Sequence, residues 1–194
     1  ILFFSNQHGP LLSWIFDLRI ENNIATWFSG LVILTCALSF FNLAHTSKIK
    51  DKLLKIFLHL AFLGFVFLSA DEVASIHENV CIWFTDKFFL SKPLLAWVLV
   101  AAPFYLTGGA IVTYFLFKII LNLKKNRNLA LSLLFISLFF VFGVVAMEYL
   151  EGVLYFKGYH LKGTIWSYLE EMMELTIFLS LLKCNIIIAE ENEI

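Results

Sequence analysis

Residues 129–147 read LALSLLFISLFFVFGVVAM, a run of nineteen residues without a charged side chain. A helix needs about 20 apolar residues to cross the hydrocarbon core of a membrane, because it rises about 1.5 Å per residue. The run shows no alternation of polar and apolar residues, so it does not fit a strand of a membrane barrel. Backbone groups in lipid must bond within their own segment, and the run therefore predicts a transmembrane helix.

Four further segments are also long and apolar. The chain as a whole is richer in apolar residues, and poorer in charged ones, than a soluble domain. Of the 194 residues 60% are apolar and 15% are charged, and the mean hydropathy is +0.85. Soluble domains are about 45–50% apolar and about 25% charged. We therefore predict an all-α, polytopic integral membrane protein, with one transmembrane helical-bundle domain over residues 1–194. Its five transmembrane helices are expected at residues 24–44, 53–70, 94–121, 129–147 and 165–189.

The basic residues predict how the helices are oriented. Nine of the fourteen lysines and arginines lie after the first span, after the third span or near the C-terminus. Because positive residues concentrate on the cytoplasmic side, we expect the C-terminus inside the cell and the N-terminus outside.

The chain has no basic stripe that could bind phosphates, so nucleic acid is not an expected partner. Within the third span, Gly108 and Gly109 are expected to allow close packing of helices.

The acidic residues are distributed in the opposite way. Ten of the fifteen cluster near the outer ends of the predicted helices, on four separate segments of the chain. Counted along the helices, Asp71, Glu148 and Glu174 lie about 27, 28 and 22 Å above the cytoplasmic boundary. Glu174 is thus several Å below the outer edge of a core about 30 Å thick. Carboxylates inside a membrane are costly and usually functional, which makes this cluster the candidate site.

The spacing of these acids predicts a metal site. Asp71, Ser75 and Glu78 are spaced at i, i+4 and i+7, so we expect them to share one stripe of a helix. Carboxylates stacked this closely repel one another unless a cation or a proton compensates their charge. Carboxylates and imidazoles from different helices bind metals in helical bundles, although the Glu-x-x-His motif of di-iron bundles is absent here. We expect a divalent metal ion (Fe, Zn or Mn) with the following candidate ligands: Asp71, Glu72, His77, Glu78, Glu148, Glu151, Glu171 and Glu174.

The positions of the other histidines predict different roles for them. His160 lies in the outer loop before the last span and could fold over the acidic cluster. His45 belongs to the basic loop and is expected to be solvated. His59 lies about 18 Å below the acids and is expected to be a structural histidine of the core.

Three motifs carry a resemblance to a known family. They are D-x3-E-x-N-x2-T-W at residues 17–27, S-x-D-E-x4-H-E at residues 69–78 and E-E-x2-E at residues 170–174. With them the chain resembles, over nearly its whole length, a family of small polytopic bacterial inner-membrane proteins of unassigned activity. This resemblance implies a multi-pass protein of the bacterial inner (plasma) membrane. The motif positions that it singles out are Glu21, Asp71, Glu72, His77, Glu78, Glu171 and Glu174.

A more distant similarity is to the alkaline ceramidase-like membrane hydrolases. That group places Ser, Asp and His around zinc at helix ends. The corresponding residues here would be Ser69 or Ser75, Asp71 and His77. The paired histidines of a late helix in that group are missing from this chain.

Three functions from different classes are compatible with the sequence. The favoured one is a metal-dependent enzyme at the outer (periplasmic) membrane face, acting on a lipid or another membrane-dissolved substrate. The second is a non-catalytic subunit of a larger membrane complex, which would use the acidic cluster to dock partner subunits or a second copy of itself. The third is an ion or proton conduit, although below the acids His59 is the only ionisable side chain within the core. The sequence assigns no catalytic residue, and membrane lipids are the expected surroundings in each case.

Overall fold

The computed structural model of the protein describes residues 24–45, 49–87, 102–156 and 165–193. Helices account for most of these residues, and none of the described segments forms a strand. In chain order the six helices are α1 (Ile24–His45), α2 (Lys52–Ala74), α3 (Ile76–Lys87), α4 (Ala102–Ile120), α5 (Arg127–Phe156) and α6 (Ile165–Glu193).

Five of these helices are long and apolar enough to cross a membrane, and they overlap the five predicted spans. The exception is α3, which has 12 residues and was not foreseen as a separate element. Residues 94–101 of the third predicted span lie outside the described residues, so α4 is described only from Ala102. The all-helical, multi-pass architecture is confirmed, whereas the orientation of the termini stays a prediction.

The core lies where α1, α2, α5 and α6 meet, and the last turns of α4 join it through Leu116 and Ile120. α1 packs against α2 and α6, and α6 packs against α5, whereas α4 makes few contacts. Apolar side chains also cover the outside of the bundle, and Phe139 is 72% exposed. Helices that are apolar all round belong in lipid, which accounts for this surface. The most deeply buried side chains include Phe40, Leu43, Leu58, Leu134, Cys184 and Ile188.

Small residues bring helices together close to the acidic residues. Ser69 Oγ on α2 donates a hydrogen bond to the carbonyl oxygen of Gly30 on α1 over 2.8 Å. A Cβ atom on Gly30 would lie 2.8 Å from Cγ2 of Val73, closer than side-chain carbons approach one another. Likewise, a Cβ on Gly143 of α5 would lie 3.0 Å from Sδ of Met173 on α6. The acidic parts of α2 and α6 are therefore held by close contacts with α1 and α5.

The packing of α4 is loose by comparison. Phe57 of α2 stacks on Phe115 of α4, with ring centres 3.9 Å apart. Nothing in the described part of the chain lies within 4 Å of a Cβ built on Gly108 or Gly109. The close packing expected of this glycine pair is therefore not found among the described residues, and an open groove lies beside α4.

Polar groups fix the helix ends at the end of the bundle away from the acidic residues of α2 and α6. Asp51 caps α2 by accepting hydrogen bonds from the first backbone N–H groups of the helix. The carboxylate of Glu191, near the end of α6, accepts hydrogen bonds from the backbone N–H groups of residues 124–126. The distances from Lys125 and Asn126 are 2.8 and 2.9 Å. This carboxylate therefore ties the connection between α4 and α5 to α6.

Candidate metal centre

A left-handed residue separates α2 from α3. Ser75 has φ 49° and ψ 43°, and it is the one non-glycine residue with positive φ in the described chain. This conformation costs an ordinary residue roughly 1–2 kcal/mol. The carbonyl oxygen of Ser75 accepts hydrogen bonds from the backbone N–H and the side-chain Nδ2 of Asn79, at 3.2 and 2.7 Å. The chain changes direction at Ser75, and His77 folds back over the last turn of α2.

Asp71 is the centre of the hydrogen-bond network at this break. Its side chain is buried, with 4% of the residue exposed. Oδ1 accepts the backbone N–H of His77 at 2.7 Å, and Oδ2 accepts Nδ1–H of the same residue at 2.9 Å. The Tyr105 hydroxyl donates a third hydrogen bond to Oδ2 over 2.6 Å. The network therefore joins α2, α3 and α4 around one carboxylate.

Three glutamates from two helices converge beside this network. Glu72 follows Asp71 on α2, and Glu171 and Glu174 lie one turn apart on α6, each partly buried. One carboxylate oxygen from each glutamate lies within 4.8 Å of the other two. Oxygen ligands bind Mg²⁺ or Ca²⁺ at about 2.0–2.6 Å, so two ligands of one ion stand up to about 5 Å apart. The three glutamates are thus close enough to share a metal ion.

The electrostatics of this cluster are unfavourable without a compensating charge. Glu174 interacts electrostatically with Glu171 and Glu72, and also with Glu170 on its own helix and Glu148 on α5. Repulsion among carboxylates is stronger in a partly buried site than in water, because the surroundings screen charge less. A bound cation or a shared proton would remove this repulsion. We call the end of the bundle that holds these carboxylates the acidic end.

The eight predicted ligands therefore fall into separate groups. Glu72, Glu171 and Glu174 come together, and Glu148 stands within electrostatic range of them. Asp71 and His77 bind each other. The expected stripe of Asp71, Ser75 and Glu78 does not form as a continuous helical face, because α2 ends before Ser75. The side chains of Glu78 and Glu151 lie outside the described part of the chain, as do Glu21 and His160.

Tyr105 is a member of the site that was not predicted from the sequence. It stands in the first turn of α4 among apolar residues, with no motif around it. A tyrosine inside a membrane span nevertheless indicates a polar partner nearby, because its hydroxyl needs a hydrogen-bond partner when it is buried. Its partner here is Asp71.

The fold and the acidic end define a class: a multi-pass helical membrane protein with a carboxylate cluster that could hold a metal ion. The chain belongs to the family described as domain of unknown function DUF8692, whose model matches residues 5–184. No curated protein and no solved structure matches the chain. The family match agrees with the resemblance to proteins of unassigned activity, while the similarity to ceramidase-like hydrolases stays a prediction.

Proposed function

We propose that the acidic end binds a divalent metal ion and that the protein is a metal-dependent enzyme acting on a lipid or another membrane-dissolved substrate. The observation that carries this proposal is the approach of Glu72, Glu171 and Glu174 to within 4.8 Å of one another. The hydrogen-bond network of Asp71 and His77 stands beside them. The proposal assigns the acidic end to the outer face of a bacterial inner membrane, because the basic residues concentrate at the opposite end.

The ligand atoms favour one of the three metals considered. Glu72, Glu171 and Glu174 offer carboxylate oxygens only, and such hard ligands suit Mn²⁺ better than Fe or Zn. Glu148 on α5 is a further candidate oxygen ligand. When bound, a divalent ion polarises a substrate oxygen or activates a water molecule.

We assign proton transfer at this site to His77, with Asp71 as its positioning residue. Asp71 accepts Nδ1–H of the ring, so Nε2 is the nitrogen through which His77 would accept a proton. The side chain of His77 is 32% exposed, whereas that of Asp71 is 5% exposed. A buried carboxylate that binds both the backbone and the ring of a histidine fixes the orientation and tautomer of the imidazole. Tyr105 in turn holds this carboxylate by its hydroxyl hydrogen bond.

A groove beside α4 supports a substrate with a hydrocarbon chain. It has a volume of about 560 Å³ and lies between Phe57 of α2 and residues 106–115 of α4. Leu106 and Thr107 form one end of the groove and directly follow Tyr105, which binds Asp71. The nine residue-to-residue steps from Leu106 to Phe115 cover about 14 Å, a length over which an acyl chain could lie along α4. The apolar groove therefore leads from the membrane interior to the acidic end.

The test of this proposal is the metal content of the detergent-purified full chain. We expect about one equivalent of Mn²⁺ or another divalent metal in the wild-type protein, and its loss in Glu174→Gln. Glu190→Gln is the matched control, because Glu190 is an exposed acid at the other end of the same helix. Absence of metal from the wild-type protein, even after incubation with Mn²⁺, would overturn the proposal.

The other two functions predict different results in the same preparation. A docking subunit would copurify with a fixed membrane partner, and changing the acids would release that partner without any metal being involved. An ion conduit would pass ions across vesicles that contain the purified chain alone. Either result together with a metal-free protein would replace the enzymatic proposal.

A further inference from the structure

Two histidines lie side by side at the end of the bundle opposite the acidic end. His45 is the last residue of α1, and His59 lies in the second turn of α2. Their ring centres are 5.3 Å apart, and the ring planes meet at 68°. His45 is exposed and His59 is partly buried, so the pair is open to the surroundings. The antiparallel packing of α1 and α2 creates this pair from residues that are fourteen positions apart.

Hydrogen bonds fix the tautomer of both rings. Nδ1 of His45 binds the carbonyl oxygen of Phe41 at 2.8 Å, and Nδ1 of His59 binds the carbonyl oxygen of Lys55 at 2.7 Å. A carbonyl oxygen accepts only, so each Nδ1 carries the proton and each neutral ring has its lone pair on Nε2. Histidines that bind metals usually donate their other ring N–H to a carbonyl or a carboxylate in this way. Within the described residues, the hydrogen bonds of both rings involve Nδ1 alone.

The separation of the rings fits a shared ion. Imidazole nitrogens bind Zn²⁺ at about 2.0–2.1 Å in a roughly tetrahedral arrangement, so two such rings have centres about 5 Å apart. The observed separation is 5.3 Å. Phe41 packs against both rings, with its centre 4.3 Å from that of His45 and 6.0 Å from that of His59. This apolar contact limits the freedom of both side chains.

We propose that His45 and His59 form a two-histidine site for a divalent transition-metal ion such as Zn²⁺. Imidazole ligands suit Zn, Cu and Ni, whereas the carboxylates of the acidic end suit harder cations. The two sites are separate, because His59 precedes Asp71 by twelve residues on the same helix, or about 18 Å. Water would occupy the remaining coordination positions at the exposed side of the pair. The bound ion would clamp the end of α1 to the start of α2.

The test is a calorimetric titration of the detergent-purified full chain with Zn²⁺. His45→Gln and His59→Gln are each expected to remove one equivalent of bound Zn²⁺. His77→Gln is the control and should bind as much Zn²⁺ as the wild type. Glu174→Gln should lose only the ion of the acidic end, so adding His45→Gln to Glu174→Gln should remove the Zn²⁺ that remains. Circular dichroism and elution volume establish that the variants are folded. If both His45→Gln and His59→Gln bind as much Zn²⁺ as the wild type, the proposal is wrong and the rings form an edge-to-face packing pair only.

A second measurement needs no substitution. One equivalent of Cu²⁺, which binds nitrogen sites more tightly than Zn²⁺ does, is added to the wild-type protein. Its paramagnetic resonance spectrum should show coupling to the nitrogens of two imidazoles. A spectrum typical of oxygen ligands alone would assign the ion to the acidic end and overturn the proposal.

Discussion

His77 binds the carboxylate of Asp71 twice, through its backbone N–H at 2.7 Å and through ring Nδ1 at 2.9 Å. The two bonds span the left-handed turn at Ser75 and keep the first residues of α3 against the last turn of α2. Because the same carboxylate also accepts the Tyr105 hydroxyl, one side chain bonds to residues of both α3 and α4. The geometry of the acidic end therefore depends on Asp71, whether or not this residue touches a metal ion.

Replacing Asp71 with Asn should destabilise the protein. Three donors meet the Asp71 carboxylate, and an amide offers only one oxygen to accept them. A buried donor without a partner costs about 1–3 kcal/mol, and we expect Asp71→Asn to lower the apparent free energy of unfolding in detergent by that amount. Asp51→Asn is the matched control, because Asn caps helices as well as Asp does. Equal stability of the two variants would contradict the role given to Asp71.

The left-handed conformation of Ser75 predicts a difference between two substitutions. Ser75→Gly and Ser75→Ala both remove the hydroxyl group, but glycine adopts positive φ without a steric penalty. Ser75→Gly should therefore be more stable than Ser75→Ala by about 1 kcal/mol, measured by denaturant unfolding in the same detergent. Equal stabilities would mean that the turn does not need the left-handed conformation.

Two glycines of neighbouring helices should respond oppositely to alanine. A Cβ on Gly30 would lie 2.8 Å from Val73, so Gly30→Ala should force α1 and α2 apart and cost about 1–3 kcal/mol. No described atom lies within 4 Å of a Cβ on Gly64, and Gly64→Ala should stabilise α2 by about 0.5–1 kcal/mol. Thermal unfolding of both variants tests this opposition, and a stabilising Gly30→Ala would refute the close contact.

The groove beside α4 should take up an acyl chain. A lipid with a photoreactive group on its acyl chain is expected to label residues 106–115 of the reconstituted protein. Ala110→Trp fills the groove and should reduce this labelling several-fold. Ala146→Trp is the control, because Ala146 is exposed on α5, away from the groove. An equal loss of labelling in both variants would mean that lipid contacts α4 no differently from the rest of the surface.

The membrane helices could be predicted from sequence because their signal is local. Each consists of consecutive apolar residues of sufficient number, and no knowledge of the neighbouring helices is needed to see it. The break at Ser75 was not predictable in this way, since serine has no preference for positive φ. The turn depends instead on partners brought to it by the fold, among them Tyr105 from a helix about thirty residues further along.

The acids near the outer helix ends could be picked out from the sequence as candidates, but the way in which the fold groups them could not. Asp71 and Glu72 are consecutive, and consecutive residues of a helix point about 100° apart. Asp71 accordingly bonds to His77, while Glu72 approaches the glutamates of α6. The pairing of His45 with His59 depends on how α1 and α2 align across their connection. That register follows from packing between the helices, which a single sequence does not display.

Glu191 joins two parts of the chain that are synthesised at different times. Its carboxylate binds amides that the ribosome made 65 to 67 residues earlier, in the connection between α4 and α5. When α4 and α5 leave the ribosome, the Glu191 carboxylate that accepts these hydrogen bonds has not yet been synthesised. The arrival of α6 in the membrane supplies it and completes the core beside α1 and α5 at the same time. Because α6 is synthesised last, the tie between α6 and the α4–α5 connection can form only after the other described helices have been made.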